Sequence, residues 1–173
     1  MAFSFLASMK RFKSDATNEF YSCVGNLLEE KQVQQLDAYR QHYCYTRLQH
    51  SLDVAYYSFL VAKLLGWDSK STARGGLLHD LFLYDWRTED ITGGHHASTH
   101  PLIALENARN LCELNPIEED IIKKHMWLVT PVPPRYKEGF IVTFVDKYCA
   151  AKECVISLFT RKSAIRAVYM TRA

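Results

Sequence analysis

The residues best suited to chemistry are the adjacent pair His79-Asp80, which closes an apolar helical run beginning at Gly76. A buried charge without a partner costs several kcal/mol, so a charged group in apolar surroundings is normally paired or bound to a metal. Imidazole nitrogen and carboxylate oxygen together suit divalent Fe, Mn, Zn, Co or Ni. The pair therefore indicates metal chemistry.

Further side chains of the same two chemical types lie on other predicted helices: His50, His100, His125 and Asp146. A lone helical histidine is more often a packed or surface residue than a ligand, and Asp146 alone could be a solvated charge or an ion-pair partner. Metal sites in helical bundles, however, are built from inward side chains on facing helices. The joint pattern, with ligand types on successive helices, predicts one shared site.

The elements that position these residues are predicted to be helices, because apolar residues recur at helical spacing and strand alternation is scarce. Capping residues, glycines and prolines place the helices at about 14–39, 43–65, 69–79, from Pro101 onwards, 116–127 and 137–159. Gly75-Gly76 lowers helix propensity in the third helix, which predicts close packing of neighbouring backbones there. The predicted fold class is all-α.

The length of 173 residues predicts one domain over 1–173, with a ligand-bearing core at about 40–155 and a covering helix at about 14–39. The formal net charge of +2 gives no argument for nucleic acid or a membrane surface, and no apolar run is long enough for a membrane span. Five cysteines without a CxxC motif argue against a disulfide framework, which predicts reduced thiols and a cytoplasmic location.

The order His…His-Asp…His…His…Asp resembles the HD-domain superfamily of metal-dependent phosphohydrolases, in particular its dinuclear subgroup. The resemblance spans about residues 40–155 and is carried by the segments Leu48–Ala55, Gly76–Asp80, Thr99–Pro101, Lys124-His125 and Val145–Tyr148. It implies an HD-domain helical bundle of about six to seven helices and two divalent metal ions. By this resemblance, the first metal is bound by His50, His79, Asp80 and Asp146. Asp80 then bridges to a second metal, held by His100 and His125.

The activity that the resemblance implies is hydrolysis of a phosphate monoester or diester by a metal-bridging hydroxide, with Asp80 holding both metals. The expected substrate is nucleotide-like or another small phosphorylated molecule. The chain departs from many dinuclear members at Leu83, which occupies the lysine position of HDxxK. Lys147, His96 and Arg87 are the candidates to replace that lysine in orienting the substrate, although each is also readily explained as an ordinary solvated side chain.

Two other functions fit the same ligands. HD-fold mixed-valence diiron oxygenases share all six, and a non-catalytic sensor or interaction module would keep the fold. The identity of the bound metal would distinguish the oxygenase from a hydrolase. The presence of a ligand residue at all six positions argues against the non-catalytic module. No direct binding to nucleic acid or a membrane is expected. The sequence leaves open whether the first helix covers the core or pairs with a second subunit in a homodimer.

Overall fold

The computed structural model describes the backbone of residues 2–42, 45–89, 93 and 95–170, and the side chains of residues 15–41, 45–89, 93 and 95–158. The architecture is all-α, as predicted. Its helices are α1 (Ala2–Leu28), α2 (Lys31–Gln34), α3 (Arg47–Leu65), α4 (Ser69–Leu78), α5 (His96–Leu111), α6 (Pro116–Lys124) and α7 (Lys137–Met170). Among the described residues, no helix is both long and apolar enough to cross a membrane.

The N-terminal region differs from the single helix predicted at 14–39. Helix α1 ends at Leu28, and the backbone of Glu30 is extended before α2 begins. A 3₁₀ turn (Gln35–Ala38) then leads into a short antiparallel hairpin of strands β1 (Arg40–His42) and β2 (Tyr45–Thr46). The apolar stripe of α1 is buried as expected, and the ring of Phe20 packs edge-on against Phe59 of α3 at 5.7 Å.

Helix α3 begins at Arg47 rather than near residue 43, because Thr46 forms a capping box with Gln49. It ends at Gly66, whose φ of 66° is the left-handed conformation that glycine adopts without a steric penalty. Tyr45 and Thr46, which were predicted to be helical, belong to β2 instead. The strand pairing of the hairpin competes here with helix formation, and the capping box decides where the helix starts.

The two glycines of α4 allow the close packing predicted for them. A Cβ atom on Gly76 would lie 3.0 Å from the Cα atom of Ala55 in α3. A Cβ atom on Gly75 would lie 2.9 Å from the side chain of Ile121 in α6. The backbone of α4 therefore packs directly against the backbone of α3 and against a side chain of α6, and each of these helices carries or precedes a candidate ligand.

The last three helices agree with the predicted order but not with all of the predicted ends. Helix α5 starts at His96 and contains Pro101, so the proline lies inside the helix rather than at its first position. Helix α6 starts as predicted, with Asn115 accepting from two backbone N–H groups of the first turn. Helix α7 continues to Met170, beyond the predicted end near residue 159.

The cysteines whose side chains are described are free thiols, namely Cys23, Cys112, Cys149 and Cys154. This agrees with the prediction of reduced cysteines for those four positions. Cys44, the fifth, lies outside the described residues.

Candidate metal centre

The structure brings all six predicted ligands together at one place in the bundle. His50 projects from α3 and Asp146 from α7, while His100 lies in the second turn of α5. The remaining three follow helix ends: His79 and Asp80 come directly after α4, and His125 directly after α6. The four histidine side chains are buried, with at most 6% of any one exposed, and Asp146 is 15% exposed.

One group of potential ligands surrounds the carboxylate of Asp146. Its Oδ1 atom lies 3.0 Å from His50 Nε2 and 3.8 Å from His79 Nε2. Ligand atoms of these three residues all lie within 4.8 Å of one another. The spacing is compatible with a single metal ion among them.

A second group surrounds the carboxylate of Asp80. Its Oδ1 atom lies 3.3 Å from His100 Nε2 and 3.6 Å from His125 Nε2. Ligand atoms of His79, Asp80 and His125 also lie within 4.8 Å of one another. Because His79 belongs to both groups and lies 3.6 Å from Asp80, the two groups form one continuous cluster.

Main-chain carbonyl groups orient three of the four imidazole rings. The Nδ1 atoms of His79, His100 and His125 lie 2.7–2.9 Å from the carbonyl oxygens of Gly76, His96 and Ile122, respectively. A carbonyl oxygen accepts only, so each Nδ1 must be the protonated nitrogen. In the neutral rings, each Nε2 therefore presents a lone pair to the interior of the cluster.

These Nε2 lone pairs do not face hydrogen-bond donors of the described residues. The Nε2 atoms of His100 and His125 lie 3.0 Å apart, and two lone pairs at that distance repel each other. His79 Nε2 and Asp80 Oδ1 are buried without a hydrogen-bond partner among the described atoms. Buried polar atoms normally have partners, and an unexplained exception suggests an ion or another missing group. The residues present therefore fit a metal ion.

The charges in the cluster favour the protonation states that metal binding requires at its centre. Burial raises the pKa of Asp80, but the neighbouring histidines outweigh it and hold that pKa well below its ordinary value. Burial, with the charges of His79 and His100, lowers the pKa of His125 to about 3. At neutral pH, Asp80 is therefore ionised and His125 is unprotonated, as metal ligands must be.

The environment of His50 has the opposite effect on its ring. Burial lowers the pKa of His50, but hydrogen bonds and attraction from Asp146 and Glu153 raise it to about 10. Burial likewise raises the pKa of Asp146, but the hydrogen bond from His50 and nearby imidazoles lower it to about 2. In the metal-free protein His50 is therefore a cation between two carboxylates, and a metal ion at this position must displace its proton.

A cavity of about 230 Å³ opens onto the cluster. Its walls include Asp80, His100, His125 and Asp146, together with Gln41, Trp86, His96 and Lys147. These four members of the cluster therefore form one wall of a space that a small molecule could enter.

Comparison with known proteins finds one partial similarity. The chain is 33% identical over 114 residues to Ribonuclease Y of Aquifex aeolicus. The matched region is 66% of this chain but only 18% of that protein. No protein-family model matches the chain, and no solved structure matches it significantly. The similarity thus connects a region of this chain with a small part of a ribonuclease.

The side chains predicted to assist the ligands take different positions. Lys147 lines the cavity, and its Nζ atom donates to the carbonyl oxygens of His125 and Thr143, both at 3.3 Å. His96 also lines the cavity, with its ring stacked between Trp86 and His100. Its Nδ1 atom lies 3.2 Å from the hydroxyl of Tyr84.

Neither Arg87 nor the residue at the lysine position of HDxxK, Leu83, contributes a side chain to the cavity. The guanidinium of Arg87 donates to the carbonyl oxygens of Arg40 and Gln41 in β1, so these hydrogen bonds are to the main chain. Leu83 packs against the hydrophobic core, and its carbonyl oxygen accepts from the hydroxyl of Tyr39 at 3.0 Å. Of the three candidates to replace the lysine of HDxxK, Lys147 and His96 are the two that border the cavity.

Sequence reasoning missed a hydrogen-bonded chain behind Asp80. Gln41 donates to Asp80 Oδ2 at 2.6 Å, and its side-chain oxygen accepts from Arg47 at 3.0 Å. Arg47 is fully buried and also donates to the carbonyl oxygens of Phe82 and Tyr84. No local pattern identifies Gln41, because it lies at the hairpin that the sequence did not predict.

Sequence reasoning also missed Glu153. Its Oε1 atom lies 2.9 Å from Nδ1 of His50, and its side chain is fully buried. The signal that could have found it is its spacing, since it follows Asp146 by seven residues on α7 and therefore shares its face.

Proposed function

We propose that this protein is an HD-type, metal-dependent phosphohydrolase that acts on a small phosphorylated substrate. The observation that carries the proposal is the convergence of three imidazole Nε2 lone pairs and two carboxylates in one cluster, four of whose side chains line a cavity. The partial similarity to a ribonuclease supports phosphate-ester chemistry.

The proposed ligand assignment follows the two groups of side chains. His50, His79 and Asp146, with Asp80, would hold one divalent metal ion, and Asp80, His100 and His125 would hold a second. Bound metal ions of this kind polarise phosphoryl oxygens and make water a nucleophile at neutral pH. The carboxyl groups of Asp80 and Asp146 are ionised well below neutral pH, so the ligand sphere carries the negative charge that divalent cations need.

The other cavity residues would bind and orient the substrate. Lys147 presents a positive charge beside Asp146, held in place by its two carbonyl partners. His96 is fixed by Tyr84 and by stacking, so its ring would direct a polar group of the substrate. The cavity of about 230 Å³ is smaller than typical sites for drug-sized ligands. It therefore suits a phosphate group with an adjoining sugar rather than a complete large ligand.

The metal assignment is tested by the metal content per chain, measured by elemental mass spectrometry after reconstitution. We expect about two metal ions in the wild type, loss of both in Asp80→Ala, and loss mainly of the second in His125→Ala. The exposed His95 caps α5 without using its side chain, so His95→Ala is the matched control and should keep both. Equal metal loss in Asp80→Ala and His125→Ala, or no loss in either, would contradict the bridging assignment.

The reaction is tested with a panel of phosphomonoesters, cyclic and linear phosphodiesters, and short oligoribonucleotides. We expect turnover that depends on added metal and is lost in His79→Ala. Metal-loaded protein without turnover on any member of the panel would contradict a phosphohydrolase. Iron in both positions, with oxygen consumption that depends on an organic substrate, would favour the diiron oxygenase instead.

A further inference from the structure

Glu153 presents a carboxylate to the metal centre from a position that no solvent reaches. Its side chain is fully buried on α7, two helical turns after Asp146. The Oε1 atom faces Nδ1 of His50 at 2.9 Å, whereas Oε2 has no hydrogen-bond partner among the described atoms. Burying a carboxylate is costly unless it is paired, so its one close partner, His50, accounts for its presence there.

His50 differs from the other three histidines in the group that orients it. His79 and His125 follow the last residues of α4 and α6, where main-chain carbonyl groups lack helical donors and can accept from an imidazole. His50 lies within α3, and its Nδ1 atom lies 2.9 Å from the carboxylate of Glu153. The acceptor that orients this ring is a side chain, the carboxylate of Glu153.

We propose that Glu153 is a positioning residue for the metal bound by His50. Its carboxylate accepts the Nδ1 proton, which leaves Nε2 as the metal-binding nitrogen and fixes the plane of the ring toward Asp146. The negative charge also makes the ring a stronger donor to a cation. This inference rests on the proposed metal site and adds to it a residue that does not itself touch the metal or the substrate.

The test compares Glu153→Gln and Glu153→Ala with the wild type by competition for Zn²⁺ against a chromophoric chelator. Removal of such a supporting group typically weakens metal binding by about 10-fold to 100-fold. We expect a loss near the lower figure in Glu153→Gln, because the amide oxygen can still accept the proton but carries no charge. We expect a loss near the higher figure in Glu153→Ala.

The control is Glu138→Gln, on the same helix. Glu138 is also buried. It lies near the start of α7 and accepts a hydrogen bond from the backbone N–H of Asp68. This variant should bind Zn²⁺ as the wild type does. A general effect of losing a buried carboxylate would instead weaken both glutamate variants equally.

A spectroscopic readout separates positioning from a purely structural role. The ¹⁵N chemical shifts of the His50 ring report which nitrogen carries the proton. We expect a protonated Nδ1 in the Zn²⁺-loaded wild type and a mixture of tautomers at lower Zn²⁺ occupancy in Glu153→Ala. If Glu153→Ala does not fold, the affinity and ¹⁵N shifts of Glu153→Gln decide the question.

The outcomes distinguish this inference from the proposed function. Wild type that binds Zn²⁺, together with Glu153→Gln of unchanged affinity and unchanged ¹⁵N shifts, would overturn the role of Glu153 alone. Wild type that binds no Zn²⁺ would overturn both. A selective loss of affinity in the Glu153 variants supports the inference even if no phosphate ester is turned over.

Discussion

The close contact between α3 and α4 makes Gly76→Ala a demanding test of the fold around the metal centre. The added Cβ atom would lie 3.0 Å from Cα and 3.4 Å from N of Ala55. Carbon atoms in favourable contact are about 3.5–4.0 Å apart, so the two backbones must separate by at least about 0.5 Å. Both neighbours are main-chain atoms, which cannot rotate away. Overpacking of this kind costs about 1–3 kcal/mol.

The matched control is the same substitution at Gly25 in α1, where nothing lies within 4 Å of the added atom. Replacing glycine by alanine inside a helix gains up to about 1 kcal/mol at either position. Gly25→Ala should therefore raise the free energy of unfolding. Gly76→Ala should lower it by about 1 kcal/mol once the helix gain is subtracted from the overpacking cost. The expected difference between the two variants is about 1–3 kcal/mol.

The assay is urea denaturation of the metal-free variants, followed by circular dichroism. A second measurement, the affinity for Zn²⁺, should fall in Gly76→Ala, because separating α3 from α4 moves His50 away from His79. Gly76→Ala with the stability of Gly25→Ala and unchanged Zn²⁺ affinity would refute the reasoning.

Three further predictions concern pH, a buried cation and a helix cap. The pKa of His125 is about 3 in the folded protein and 6.5 ordinarily, so on acidification the unfolded chain takes up this proton at a higher pH than the folded protein does. The metal-free wild type should thus lose stability as the pH falls from about 6.5 toward 3, with a flatter profile in His125→Ala, measured by denaturation at each pH. Arg47→Lys should cost about 1–3 kcal/mol, because a lysine ammonium cannot replace both the Nε–H that donates to Gln41 and the terminal nitrogens that donate to Phe82 and Tyr84. An unchanged urea midpoint would contradict this. Asn115→Ala should cost about 1 kcal/mol through loss of the α6 cap, and thermal melting should show a lower Tm than for the wild type.

Much of the helical architecture could be predicted from the sequence, because its signals are local. The start of α6 follows from Asn115 and Pro116, and the end of α3 from Gly66. The hairpin at residues 40–46 could not be predicted, since its strands are only two and three residues long and too short to show alternation. Helix α5 begins before Pro101 and holds this proline, buried, in its interior, whereas the sequence rule places proline in the first turn.

The clustering of the six candidate ligands could be anticipated because their chemical types are unusual in apolar surroundings. The residues that hydrogen-bond to these ligands could not be predicted. An acid at helical spacing, such as Glu153, is far more often on a solvated face, and only the three-dimensional packing of α3 against α7 shows that it is buried. Gln41 depends on a hairpin whose position the sequence does not reveal.

The anchoring of three histidines by main-chain oxygens has a consequence for how this centre would vary among related sequences. A substitution at Ile122 changes a side chain but leaves the carbonyl group that holds His125. A saturation-mutagenesis screen should therefore find Ile122 tolerant, provided that the replacement still packs, and the ligands intolerant. Distant relatives could then keep the whole arrangement while sharing little more than the six ligands, since most of what orients them is the course of the backbone. Glu153 differs from Ile122, because it holds His50 through its side chain, and such a screen would detect its replacement.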